Sequence, residues 1–174
     1  MTPLEQVPLR RGITDRLRAA LPSASEAAVG TLLWGTAMGA SALANLLLAA
    51  WETPDRVRFV ALLYVLGGMF AFPVGLTLAR LVSRGRHGET AFAAAFVSLL
   101  AATLAFTAGL FALQYRSYYA EWHAPTFTLT WAFEFAFTML TALYQFVVLG
   151  VRLYFPFGFA ALVAASVWFA RQRR

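Results

Sequence analysis

Apolar residues in this chain fall into long uninterrupted blocks and do not follow the 3.6-residue or two-residue period of a half-buried element. Ala27 to Trp51, Phe59 to Ala79 and Thr90 to Tyr115 each run without a charged side chain. A bilayer core takes about 20 apolar residues per helix, and each block reaches that length. A fourth block, Phe127 to Val151, holds one acid, and a shorter fifth covers Leu153 to Ala170. The pattern predicts an all-α polytopic transmembrane bundle. Four spans are expected at 27–51, 59–79, 90–115 and 127–151, with a short fifth hydrophobic helix at 153–170.

The polar stretches between the blocks supply the punctuation. Residues 1–26 form a separate N-terminal segment in which Ile13, Leu17 and Leu21 recur at helical spacing while Arg16 and Arg18 lie off that stripe. This predicts a short amphipathic helix lying on the membrane surface. Pro22 breaks it, and Ser23 to Glu26 has the S-x-x-E spacing of a capping box. The segment is polar and basic and has no apolar h-region, so no cleavable signal peptide is expected. Gly35 and Gly39 form a GxxxG, read here as a helix-packing face. Pro73 predicts a kink in the second span. Tyr115, Tyr118, Tyr119 and Trp122 crowd the end of the third block, the composition of a membrane–water interface, and Trp51 is placed as an anchor after the first.

Composition agrees with the pattern. Of the 174 residues, 60% are hydrophobic and 13% charged, against about 25% charged in a soluble domain. All 14 basic residues are arginine, against eight acids, for a net charge of +6. The arginines stand at block ends, where they meet lipid headgroups, so membrane lipids and not nucleic acid are the expected partners. With the N-terminus inside, Arg10, Arg11, Arg16, Arg18, Arg80, Arg84 and Arg86 share the cytoplasmic side and Arg56, Arg58 and Arg116 the other, the positive-inside pattern of a bacterial inner-membrane protein. The fifth block conflicts with that rule if it crosses, because Arg171, Arg173 and Arg174 would then lie outside.

Candidate chemistry narrows to one helix. Seven of the eight acids lie outside the hydrophobic stretches; Glu134 lies inside the fourth. At 100° per residue, Thr130, Glu134, Thr138, Thr141, Gln145 and Arg152 fall within about 40° of one line, flanked by Trp131 and Tyr144. An unpaired carboxylate facing lipid costs several kcal/mol, so this polar seam is expected to face other helices, a water-filled cavity or a partner. Asn45, the one asparagine, is its expected supporting partner inside the bilayer. Three roles compete: interhelical hydrogen bonding, a proton or cation site, and docking onto another membrane protein.

Enzyme chemistry finds little support. The chain has no cysteine, and its two histidines, His87 and His123, fall in loops on opposite sides. That argues against haem ligation inside the bilayer, and no span offers a serine with a histidine base. No HExxH pair or other metal-ligand spacing occurs, so neither a metal nor a cofactor is expected. The expected function is that of a non-enzymatic subunit or accessory component of a larger membrane assembly, joined to a membrane-protein partner or to further copies of itself. The alternative is an autonomous proton- or cation-linked transporter or channel centred on Glu134.

Overall fold

The computed structural model describes residues 12–50, 53–85 and 87–172; Arg10, Arg11, Trp51, Arg86, Arg173 and Arg174 lie outside them. Among the described residues there is no strand. Six α-helices follow in order: α1 Ile13–Ala20, α2 Ala24–Leu48, α3 Pro54–Val82, α4 Gly88–Tyr119, α5 Leu129–Gln145 and α6 Phe157–Arg171. A 3-10 turn, Ala120–Trp122, extends α4, and a π turn, Phe146–Gly150, followed by a 3-10 turn, Val151–Tyr154, separates α5 from α6. Four segments are long and apolar enough to cross a membrane, and α6 is a shorter apolar helix. The expected fold class is therefore the observed one.

Local signals account for most boundaries. Ser23 caps α2 by accepting from the Glu26 amide at 3.2 Å. The Glu26 side chain does not close the capping box but pairs with Arg80 of α3, which also donates to the Leu21 carbonyl at 3.1 Å. This ties the α1–α2 turn to the last turn of α3. Pro54 starts α3 at a position where its missing N–H costs nothing. α3 runs unbroken through Pro73, and Thr77 donates to the Pro73 carbonyl at 2.7 Å. α1 buries Ala20 but leaves Ile13, Leu17 and Leu21 exposed, an apolar stripe of the kind an interfacial helix lays on lipid.

α2, α3 and α4 form the core, packed through small residues. A Cβ added at Gly35 would come within 2.5 Å of Met69, and one at Gly39 within 2.2 Å of Val65, so the GxxxG face presses α2 onto α3. Gly67 makes the corresponding close approach of α3 to Thr107 of α4. Between these helices Trp34, Met38, Leu46, Tyr64, Phe72, Leu76 and Leu99 form one buried cluster with Phe146, Tyr154, Leu162 and Phe169.

The fourth span, Leu129–Tyr154, lies close to the expected 127–151 but is not one α-helix. In place of one helix over 127–151, the α-helix stops at Gln145 and the chain passes through the π and 3-10 turns and Pro156 before α6. The two helices then share one path down α4. Gln145 meets Tyr115, Phe146 meets Phe111, Tyr154 meets Thr107 and Phe159 meets Phe96. Val167 and Arg171 reach His87 and Phe92 at the start of α4. Trp168 reaches Glu26 and Val29 at the start of α2. The 153–170 block thus continues the path of α5 along α4, and the two together are called the broken pass here. It returns the chain to the end of the bundle where α2 begins, called basal here; the opposite end is distal. A single cysteine introduced as Arg171→Cys in this cysteine-free chain should be labelled from the same side of the membrane as Ser25→Cys. Labelling from opposite sides by an impermeant maleimide would contradict the broken pass.

Candidate functional site

The broken pass leaves backbone groups that lipid cannot satisfy, and polar side chains of α2 and α3 take them up. Ser41 donates to the Leu153 carbonyl at 2.9 Å and accepts from the Gly158 amide at 3.1 Å. Asn45 donates to Leu153 O at 3.3 Å and to Phe155 O. The Tyr64 hydroxyl donates to Gly150 O at 2.7 Å, at the π turn. The Tyr154 hydroxyl donates to Thr107 at 2.8 Å, and Trp34 Nε1 donates to Thr103 at 3.0 Å. Asn45 therefore serves the α5–α6 break, not the seam on α5. Tyr64, a further candidate partner of the seam by sequence, likewise serves the break; Ser41, Thr103 and Thr107 are the polar residues that the sequence reading passed over. Their only sequence signal is a polar side chain inside an otherwise apolar block.

The seam itself is brought together only in part. Glu134 is half-buried, and its Oε2 accepts from the Ala124 amide at 2.7 Å. Thr138 meets His123 Nε2 at 3.2 Å, and Gln145 Nε2 reaches the Tyr115 hydroxyl at 3.4 Å. These three face the end of α4 and the segment that follows it. Thr130, Thr141 and Arg152 are exposed. Arg152 leaves the line because the π turn winds more residues per turn than the α-helix, so the 100° count fails beyond Gln145. Trp131 stacks between Phe127 and Phe135, and Tyr144 is exposed. Arg116 of α4 lies 5.7 Å over the Phe135 ring.

Level along the bundle decides what this site can do. The Glu26–Arg80 pair sets the starts of α2 and the end of α3 side by side. From there α2 runs 25 residues, about 37 Å, and the close approaches of Gly35 to Met69 and Gly39 to Val65, and of Gly67 to Thr107 and Gly75 to Leu99, bring the distal ends of α2, α3 and α4 to about one level. Val60 and Leu63 of α3 share a cavity of about 310 Å³ with Gln145, Phe146 and Leu149. The remainder of α5, back to Leu129, extends about 24 Å further in the distal direction, where it packs principally on α4. Glu134 sits level with Ala124, beyond the last turn of α4, not midway along the bundle. The segment Leu129–Tyr154 accordingly has the smallest buried share of the four long segments, 11% against 28% to 44%.

The exposed side of this hairpin is strongly apolar. Leu129, Phe133, Phe137, Leu140 and Tyr144 are exposed along α5, and Phe127, in a left-handed backbone conformation at the tip, is 92% exposed. Tyr115, Tyr118, Tyr119 and Trp122 form a ring cluster beside it, with centroids 4.8 to 5.8 Å apart.

The fold and this placement define a multi-pass integral membrane protein made of a helical bundle with a distal aromatic hairpin. Comparison with protein-family models, with characterised proteins and with solved structures found no match.

Proposed function

We propose that this chain is a non-enzymatic accessory subunit of a bacterial inner-membrane assembly. In this reading the bundle is its anchor and the α4–α5 hairpin is the element that binds a second, different integral membrane protein. The observation that carries the reading is the overshoot of α5. α2, α3 and α4 together are long enough to fill hydrocarbon about 30 Å thick, and α5 continues past their distal ends, with Glu134 on the Ala124 amide beyond the last turn of α4. An apolar helix extending past a slab set on that bundle needs cover other than lipid. Phe133, Phe137 and Leu140 provide the aromatic and aliphatic anchors on which interfaces concentrate their energy.

The carrier reading draws less support from the same geometry. Glu134 has the Ala124 amide as its partner and lies outside the packed core. The cytoplasm is the side proposed for the basal end, where Arg16, Arg18 and Arg84 gather and where α6 adds Arg171.

A photoreactive residue replacing Phe137 should crosslink to one discrete protein in native membranes, whereas one replacing Leu47, on the exposed flank of α2, should not. Phe133→Ser combined with Phe137→Ser should remove that protein from the mild-detergent complex and leave the purified chain monodisperse. Crosslinking only to lipid, or only to a second copy of this chain, would defeat the proposal.

A further inference from the structure

The basal end carries a feature that the partner reading does not use. Three arginines meet where α1 lies against α3. Arg80 is committed: Glu26 and the Leu21 carbonyl hold its guanidinium. Arg16 from α1 and Arg84 from the turn after α3 instead line one hollow of about 570 Å³, together with Leu81 and Gly85. Among the described residues no acid lines it; Glu26 is turned to Arg80, and Asp15 lies beside Arg16 on α1 without entering the lining. Gly85 has φ +68°, a left-handed conformation that closes the turn and sets Arg84 beside α1. Two cations converging from separate elements on a space without a carboxylate repel each other until an anion lies between them. The planar guanidinium suits phosphate oxygens in particular.

We infer that Arg16 and Arg84 form a binding site for the phosphate of an anionic phospholipid headgroup. The surroundings select lipid over free phosphate. Leu17 next to Arg16, and Leu78 and Val82 on the last turns of α3, are exposed apolar side chains at the same end. With Leu81, which lines the hollow, they offer acyl chains an apolar surface at this end of α1 and α3. The site also gives α1 a role: docking α1 on α3 brings Arg16 to Arg84.

The test is lipid retention by the full-length protein after reconstitution in bilayers of phosphatidylcholine and phosphatidylglycerol. Detergent release and native mass spectrometry then count the bound phosphatidylglycerol. Arg16→Gln with Arg84→Gln should lower retention by about thirtyfold, since each arginine near the surface contributes about 1 kcal/mol. Arg18→Gln, one charge removed from α1 outside the hollow, should lower it by no more than about fivefold, the share of a single surface charge. Arg16→Lys with Arg84→Lys should retain an intermediate amount and shows that the pair can be altered without loss of the fold. Equal losses for Arg18→Gln and the double variant would reduce the effect to diffuse charge and overturn the site. Unchanged retention in the double variant would overturn it too, as would displacement of the lipid by millimolar inorganic phosphate, which would assign the hollow to the free anion.

Discussion

The Ser41→Ala/Asn45→Leu protein is expected to unfold about 5–10 °C below the parent in detergent, at the 2–4 °C per kcal/mol typical of a chain this size. These two side chains of α2 satisfy three backbone groups at the break: the carbonyls of Leu153 and Phe155 and the amide of Gly158. Water cannot replace the buried Ser41 bonds to Leu153 and Gly158; the Phe155 carbonyl lies at an exposed residue. Each orphaned buried group costs about 1–3 kcal/mol, and hydrogen bonds measured in membrane proteins fall near the low end of that scale. The sum is about 2–4 kcal/mol. Asn45→Leu alone should cost less than half of this, because Ser41 still donates to Leu153. The two changes should also be non-additive, since they share that carbonyl. Circular dichroism melts of the two single variants and the double variant measure this. A double variant that melts with the parent would mean that α2 does not hold the break. The effect should extend to function, because a loosened Leu153–Gly158 segment no longer fixes α6 to the core or orients α5 above it.

Much of this architecture is legible in the residues. The three charge-free blocks give α2, α3 and α4 to within a few positions, because lipid enforces long apolar helices with little room for exception. Ser23 marks the start of α2, and the aromatic cluster from Tyr115 to Trp122 marks the distal boundary. The fourth block is different. Gly150, Pro156 and Gly158 announce a break, but the direction of the chain after it depends on Ser41 and Asn45, more than a hundred residues away in sequence. No local pattern encodes that pairing. The reading of Glu134 fails in part for the same reason. A helical count over 130–152 assumes an unbroken helix, and its depth assumes that the apolar block and the bilayer coincide. The course of α5 past the end of α4, visible only once Glu134 is seen on the Ala124 amide, places Glu134 beside the loop and leaves Thr130 and Thr141 on the exposed side. The GxxxG of Gly35 and Gly39 was readable as a packing face; that α3 is its partner was not, although Gly68 of α3 lies against the Gly35 backbone, because no local pattern pairs the two.

One substitution made at two glycines should give opposite results. Gly67→Ala is expected to destabilise the bundle by about 2–4 kcal/mol, combining overpacking with loss of a buried hydrogen bond. A Cβ at Gly67 would fall 2.2 Å from Thr107 Oγ1 and 2.9 Å from Thr107 Cα. The second contact is with backbone, so no rotamer relieves it, and α3 must move away from α4. Thr107 is fully buried and accepts the Tyr154 hydroxyl, so the displacement reaches the 3-10 turn of the broken pass. Gly109, two residues further along α4, has nothing within 4 Å of its added Cβ. There alanine gains only helix propensity, and Gly109→Ala should be neutral or stabilising by up to about 1 kcal/mol. Melting temperature and monodispersity on gel filtration report both. If Gly67→Ala matched Gly109→Ala, α3 and α4 would not be in the close contact described, and Tyr154 would lose its means of linking the core to the distal hairpin. With Gly67→Ala destabilised, capture of the partner by the Phe137 crosslinker should fall together with the melting temperature. Gly109→Ala should leave both intact, because the hairpin is positioned by the packing of α4 and not by its own contacts.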